Sequence, residues 1–238
     1  MSSSFQVSFN VSDKLYLRDP ESSELGRKIV QNAINLIYSL GYEHFTFKKL
    51  AAEIHTTEAG IYRYFENKHR LLLYILNWYW SYLDWLVVFQ VNNIPSHEEQ
   101  LRRILELLTR RLPDDSGNAS FNKKNLNEIV IRESNKAYLI KEVAEINKEQ
   151  VFKPYKELCA KIAAIIHAYC PAYPYPRSLS STILEEAHHQ QFFARKLPNL
   201  TDNQGLDADA YAYQYLHHLL FGLLNSVKAT SSQLPKKP

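Results

Sequence analysis

The sequence predicts an all-α protein, with two short helices near its start and long helices after them. Three observations carry this. Only six glycines serve 238 residues, and the ten prolines fall mostly between segments. Apolar residues recur at i, i+3, i+4 and i+7 in one window after another, the spacing of a single helical face. After residue 20 no run alternates apolar and polar residues with the period of two that a half-buried strand needs.

The elements follow in order. Before residue 20, "FQVSFNV" does alternate, with Phe5, Val7, Phe9 and Val11 on one face. It is either a short strand or an arm that orders on a partner, so residues 1–19 are set apart as an N-terminal arm. The first helix is expected to start at Pro20, with Asp19 as N-cap and Glu21 complementing the positive helix end. Leu25, Ile29, Ala33, Leu36, Ile37 and Leu40 keep helical spacing, and Gly41 ends the run. Thr46 caps a second helix whose Phe47, Leu50, Ala51 and Ile54 share a face. His55, Thr56 and Thr57 break it, and a third helix runs from about Glu58 to Phe65. Asn67 caps a fourth. Beyond it, long helices are expected at about 68–92, 97–112, 120–133, 136–169, 179–196 and 207–229. Their separators are "NNIPS", "PDDSGN", "PAYPYP" and "LPNLTDNQG". Pro154 should kink or divide the segment 136–169, and the end, "SSQLPKKP", should fray. The expected division is an arm at 1–19, a three-helix domain at 20–67, a helical bundle at 68–230 and a flexible tail at 231–238.

Composition narrows the class. An apolar share of 45% supplies a core, and a net charge of +3 leaves room for a local basic patch without demanding nucleic acid. The start "MSSSFQVSFNVSDKLYLRDP" has no charged opening followed by an apolar run, so no secretory signal is expected. Cys159 and Cys170 lie eleven residues apart; on one helix that is ~16 Å, beyond the ~7 Å a disulfide spans. Free thiols in a reducing cytoplasm are the expectation. Leu71 to Phe89 approaches a bilayer's length, but Asp84 at that depth costs ~2.5–3.5 kcal/mol, and its aromatics do not form two belts. A buried helix of a bundle is the better reading, with no membrane partner.

The third helix is small and lopsided. At 100° per residue Ile61 and Phe65 point together, with Tyr64 beside them. Opposite lie Ala59 and Arg63, flanked by Gly60, Tyr62 and Glu66. A helix trimmed on one face can enter a major groove, which is about one helix wide. Arg63 can reach guanine O6 and N7, and the Ala59 methyl can meet a thymine methyl. Tyr62, Tyr64, Lys48 and Lys68 are placed to donate to phosphates, and the helix starts at Thr46 and Asn67 can add backbone donors. Taken singly, Lys48, Lys49 and Lys68 also read as a solvated face.

These residues carry a resemblance. "GYEHFTFKKLAAEIHTTEAGIYRYFENKHRLL" resembles the N-terminal helix-turn-helix of the tetracycline-repressor (TetR) family of bacterial regulators, over about residues 24–73. The run "TTEAGIYRYFENK" carries it. Two positions depart from the family pattern. His55 stands where the turn usually has glycine, and histidine is among the residues enriched at positive φ. Glu58 stands where the family often has a basic or neutral residue; it suits a helix start and near DNA would need a cytosine N4 to pair with. The resemblance implies a DNA-binding domain joined to a ligand-binding and dimerisation bundle. The DNA-contact set it implies is Thr46, Lys48, Thr57, Glu58, Ala59, Gly60, Tyr62, Arg63, Tyr64 and Lys68.

In the bundle, Trp78, Tyr82 and Trp85 recur at i, i+4 and i+7. They are either core or one wall of a ligand cavity, with Phe152, Tyr155, His189 and Phe192 as further candidates. "LEEAHHQQFF" holds Glu185-x-x-His188 and Glu186-x-x-His189. A di-iron bundle uses such pairs but needs two of them plus two more glutamates; polar surface or a ligand hydrogen bond is the plainer reading, and no metal or cofactor is expected. The pair His217 and His218 is weaker still. No phosphate loop, zinc pattern or nucleophile elbow is present, so no enzyme is expected. The resemblance implies dimerisation through 179–196 and 207–229, where Ala208, Ala212, Leu216, Leu219, Gly222 and Leu223 make a stripe suited to close contact. The expected function is a ligand-responsive regulator, best read as a repressor, that binds palindromic double-stranded DNA as a homodimer and is released by a small apolar or aromatic effector. A helical di-metal carboxylate oxidase and a membrane-anchored adaptor stand as alternatives.

Overall fold

The computed structural model describes residues 11–110 and 121–233. Most of the alternating arm, the "PDDSGN" separator and the last five residues of the tail lie outside that range. Among the described residues the chain is helical, in the order α1 (Glu24–Leu40), α2 (Phe47–Glu53), α3 (Glu58–Tyr62), α4 (Lys68–Val91), α5 (His97–Thr109), α6 (Lys123–Glu133), α7 (Asn135–Tyr138), α8 (Val143–Lys148), α9 (Lys153–Tyr169), α10 (Pro176–Lys196) and α11 (Ala208–Gln233).

Local chemistry fixes most boundaries. Asp19 does cap, but it caps a 3-10 turn at Pro20–Ser22, and α1 starts four residues later than expected. Ser23 is the reason. It is extended, its hydroxyl accepts from the Gly26 N–H at 3.1 Å, and it shares a 2.7 Å hydrogen bond with the Tyr64 hydroxyl. The Pro20 turn also folds against Gly26, where a Cβ would lie 2.2 Å from the Pro20 carbonyl oxygen. Gly41 ends α1 at φ +80°. Thr46 and Thr57 cap α2 and α3, accepting from Lys49 and Gly60, and the Asn67 side chain accepts from Arg70 at the start of α4. His55 adopts φ +53° in the turn between α2 and α3, a conformation in which histidine is one of the enriched non-glycine residues.

The expected helix 136–169 is three pieces. Pro154 does not kink it; it sits in the first turn of α9, where a missing N–H costs nothing. The break falls earlier, with Gln150 at φ +59° and Val151 fully buried. The buried Asn77 side chain donates to the Val151 carbonyl, and this tertiary bond outweighs local helix propensity. Residues 231–233, expected to fray, extend α11.

The chain divides into two compact units, Met1–Tyr82 with Leu112–Tyr155, and Leu83–Arg111 with Lys156–Pro238. This differs from a boundary at residue 67. The first unit holds α1–α3, most of α4, and α6–α8. Its core includes Ile29, Ile34, Ile37, Phe45, Leu50, Ile61, Phe65, Leu72 and Val130, all buried. The second packs α5, α10 and α11 together around Leu105, Ile162, Ile183, Leu184, Ala212, Leu216 and Leu224. Cys159 and Cys170 are free thiols. No described helix is long and apolar enough to cross a membrane.

Candidate nucleic-acid interface and ligand cavity

The turn between α2 and α3 presents one outward face. Thr46, Lys48, Thr57, Glu58, Ala59, Tyr62 and Arg63 are exposed, and Gly60 is half-buried. The cap hydroxyls of Thr46 and Thr57 each accept from the chain, which leaves their O–H free to donate outward. Tyr62 is held by its ring, edge-on to Phe47 at 5.0 Å, while 48% of the residue stays exposed. Among the described residues no acceptor holds Arg63, so its five donors face solvent.

Two expected contacts are corrected. Tyr64 points inward: it is 2% exposed, its hydroxyl meets Ser23, and the Arg18 guanidinium lies 5.4 Å from its ring centre. Lys68 is an internal brace. Its ammonium donates to the carbonyls of Tyr42, Glu43 and Phe45 at 3.2–3.4 Å and sits 4.6 Å from the Tyr42 ring centre. Those carbonyls belong to the α1–α2 turn, and a cation that satisfies them is spent on the fold.

The aromatic wall is also corrected. Trp78 and Tyr82 are buried against one another at 5.4 Å, and Trp78 meets Phe121 edge-on at 5.0 Å, so they are core. Trp85 is 41% exposed and stacks on the more exposed Phe89. Asp84, an isolated carboxylate in the sequence, is paired with Lys161 at 2.5 Å. Among the described residues a small, largely enclosed cavity lies in the first unit and is lined by Leu73, Asn77, Trp80, Tyr138, Phe152 and Tyr155, among others. Phe152 and Tyr155 are expected residues, Trp80 replaces Trp78, and His189 and Phe192 belong to the second unit. The Trp80 and Tyr155 rings are 4.7 Å apart, and Tyr138 stacks on Tyr155 at 6.3 Å. The cavity is about 20 Å³, room for roughly one water. A larger occupant must displace the wall made by α7, α8 and residues 149–152.

That wall is pinned by charge. Arg70 grips Glu149 through two hydrogen bonds, at 2.5 and 3.0 Å. Lys136 on α7 pairs with Glu43 and Glu133, both at 2.9 Å. Burial works against the Lys136 charge, but bonds to the two carboxylates hold its pKa above the usual lysine value. Glu133 is buried, and its other oxygen accepts from the Tyr42 N–H at 3.2 Å. Burial pushes the Tyr42 phenol up to about 12. Sequence reasoning missed this cluster, whose members lie far apart in the chain.

His188, from the Glu-x-x-His pair, is buried, and loss of solvation pushes its pKa down to about 4. His189 lies 3.5 Å from Glu186. Among the described residues no three His, Cys, Asp or Glu side chains gather to hold a metal ion. The dimer stripe divides: Ala208, Ala212 and Leu216 are buried within their own unit, whereas Gly222 and Leu223 are exposed and Leu219 is half-buried.

The family model for bacterial regulatory proteins of the tetR family matches residues 29–75. No curated protein matches the chain by sequence. Among solved structures, AibR in complex with isovaleryl coenzyme A and operator DNA is 18% identical, with 82% of this chain and 98% of that chain covered and a TM-score of 0.56. The fatty acid degradation regulator FadR from Bacillus halodurans is 18% identical, covering 82% of this chain and 94% of its own, with a TM-score of 0.59. A tetR-family transcriptional regulator from Pectobacterium atrosepticum is 17% identical, with 87% and 98% covered and a TM-score of 0.56. At such identities the likeness shows a shared fold.

Proposed function

We propose that this chain, which carries the N-terminal domain of the tetR family of bacterial regulatory proteins, is a ligand-responsive transcriptional regulator that binds double-stranded DNA. The observation that carries the reading is the outer face of α3. Ala59 and Gly60 leave it slim, Tyr62 and Arg63 stand exposed beside them, and Arg63 is uncommitted to the fold. Such a face fits a major groove, with Arg63 on a guanine edge and Lys48, Thr46, Thr57 and Tyr62 on phosphates.

A homodimer would bring two α3 helices to successive major grooves, one turn or a multiple apart, so the operator should be palindromic. The face available is on α11, where Gly222 and Leu223 are exposed and Leu219 is half-buried, with α10 packed beside it. The chain acts by binding and not by catalysis, in the cytoplasm where the genome lies, and repression is the simplest outcome of occupying a promoter. AibR is solved with operator DNA and a small molecule together, the same two kinds of partner that this reading gives the present chain.

The effector site is the cavity beside Trp80, Tyr138 and Tyr155. Its lining has no charged side chain, so the effector is a flat, apolar or aromatic compound that shifts the balance between two conformers by its differential affinity for them. Selection of duplexes from a random pool by the purified chain tests the reading. A palindrome with half-sites about one helical turn apart supports it, and recovery of no preferred duplex overturns it.

A further inference from the structure

One helical turn, α7, touches the cavity on one side and the reading head on the other. Ala137 and Tyr138 line the cavity. Two residues before Tyr138, and so about 200° around the turn, Lys136 points the opposite way and holds Glu43, in the turn between α1 and α2, at 2.9 Å. A second bond joins Lys136 to Glu133, whose carboxylate accepts from the Tyr42 N–H. His69, at the start of α4, lines the same open groove as Tyr42, Glu43 and Lys136. Glu43, Tyr42 and His69 belong to the head or its junction with α4, and Glu133, at the end of α6, links Lys136 to Tyr42.

We infer that α7 is the lever through which cavity occupancy is communicated to the head, with Lys136 as its positioning residue. This rests on the regulator reading above and names how that site is regulated. The cavity admits about one water, so a larger effector displaces its wall, and in this reading Tyr138 is the part that moves outward. A helix of four residues has no length in which to absorb the displacement. Moving Tyr138 therefore draws Lys136 away from Glu43 and Glu133, so the α1–α2 turn loses its bond at Glu43, and the Glu133 carboxylate that accepts from the Tyr42 N–H loses its cation. That turn also carries the carbonyls braced by Lys68, and it leads directly into Thr46, the cap of α2. The signal reaches the head inside a single compact unit.

The test uses the full chain without DNA or effector, and it reads amide hydrogen exchange over residues 41–45. Tyr138→Ala perturbs the lever from the cavity side and should speed exchange there by about five-fold or more, the lower end of usual coupling between sites. Lys136→Met should do the same. In the double variant the two effects should not multiply, because the route is already cut. Lys136→Arg should keep slow exchange, and Glu43→Gln, an exposed change safe for folding, should reproduce Lys136→Met. Should Tyr138→Ala fail to fold, Tyr138→Leu replaces it with the same expected sign. Exchange unmoved by the cavity-side change, or multiplied to within about two-fold by the two changes together, overturns the lever. Duplex selection by the wild-type chain is scored separately: its failure removes the regulator reading, whereas intact selection with multiplicative exchange removes the lever alone.

Discussion

Arg63 and Lys68, five positions apart at the edge of the head, have opposite fates. Arg63 is exposed and unheld, so Arg63→Ala should leave stability near wild type, cost about 1–3 kcal/mol of operator affinity and relax preference at one base position. Binding across a set of single-base operator variants checks this; equal loss on every variant would place Arg63 on a phosphate. Lys68 is tied to three backbone carbonyls. Lys68→Met should destabilise the head by about 1–3 kcal/mol, the worth of hydrogen bonds to a charged group, and leave the salt slope of DNA binding unchanged. Lys48→Ala should lower that slope by about one per head, which a salt titration of both variants separates. His188 gives a pH signature. Its folded pKa is about 4, below the ordinary 6.5, so above pH 6.5 both states are neutral and stability is complete. As the pH falls from 6.5 to 4 only the unfolded chain takes the proton, and about 3 kcal/mol is lost. Below 4 the loss levels off. Urea unfolding of His188→Gln against wild type should show a flatter pH profile for the variant.

At the scale of elements, α4 and α11 show where a helical pattern can be read and where it cannot. From Leu71 to Trp80 every residue of α4 is buried, so the helix has no apolar side for a wheel to find. Trp80 stands outside the i, i+4, i+7 spacing of Trp78, Tyr82 and Trp85, and only its neighbours decide that it meets the cavity. In α11 the small-and-leucine stripe is real, but α5 and α10 already take Ala212 and Leu216 for their own core. The remaining face makes a prediction: Leu223→Arg, at a residue 37% exposed, should barely change monomer stability and weaken dimerisation by about 1–3 kcal/mol, the cost of losing a buried leucine and leaving a charge in its place. Sedimentation across a concentration series measures it. An unchanged association constant would move the interface elsewhere.

At the scale of the molecule, the head and the cavity belong to the same compact unit, and the wall that must move is its least regular part. α7 and α8 are short, Gln150 has positive φ, and the wall is held at its ends by Lys136–Glu43 and Arg70–Glu149. The more exposed of the two, Lys136–Glu43, contributes about 0–1 kcal/mol, weak enough for an effector to open, while Arg70–Glu149 is half-buried. Val151→Ile adds one methyl beside a space of about 20 Å³. It should leave DNA binding unchanged and change stability by less than ~1 kcal/mol, while blunting the response to effector. A screen of flat apolar compounds read by Trp80 fluorescence, repeated on the variant, checks this; an equal response from both chains would place the effector in another site.

The sequence by itself determined the helical class, the caps at Thr46 and Asn67, and the exposed face of α3, while the positive φ at His55 was implied by the family resemblance. These are local: each follows from a side chain acting on backbone within four residues of it, or from a periodicity in which one face is apolar and the other is not. Only the tertiary structure decided that Tyr64 turns inward to Ser23, that Lys68 braces the α1–α2 turn, that the segment after Glu133 breaks into short helices, and that Lys136 reaches Glu43. Those outcomes depend on partners 23 to 93 positions away, as for Lys68 with Phe45 and Lys136 with Glu43. A spacing rule confined to one helix carries no information about them.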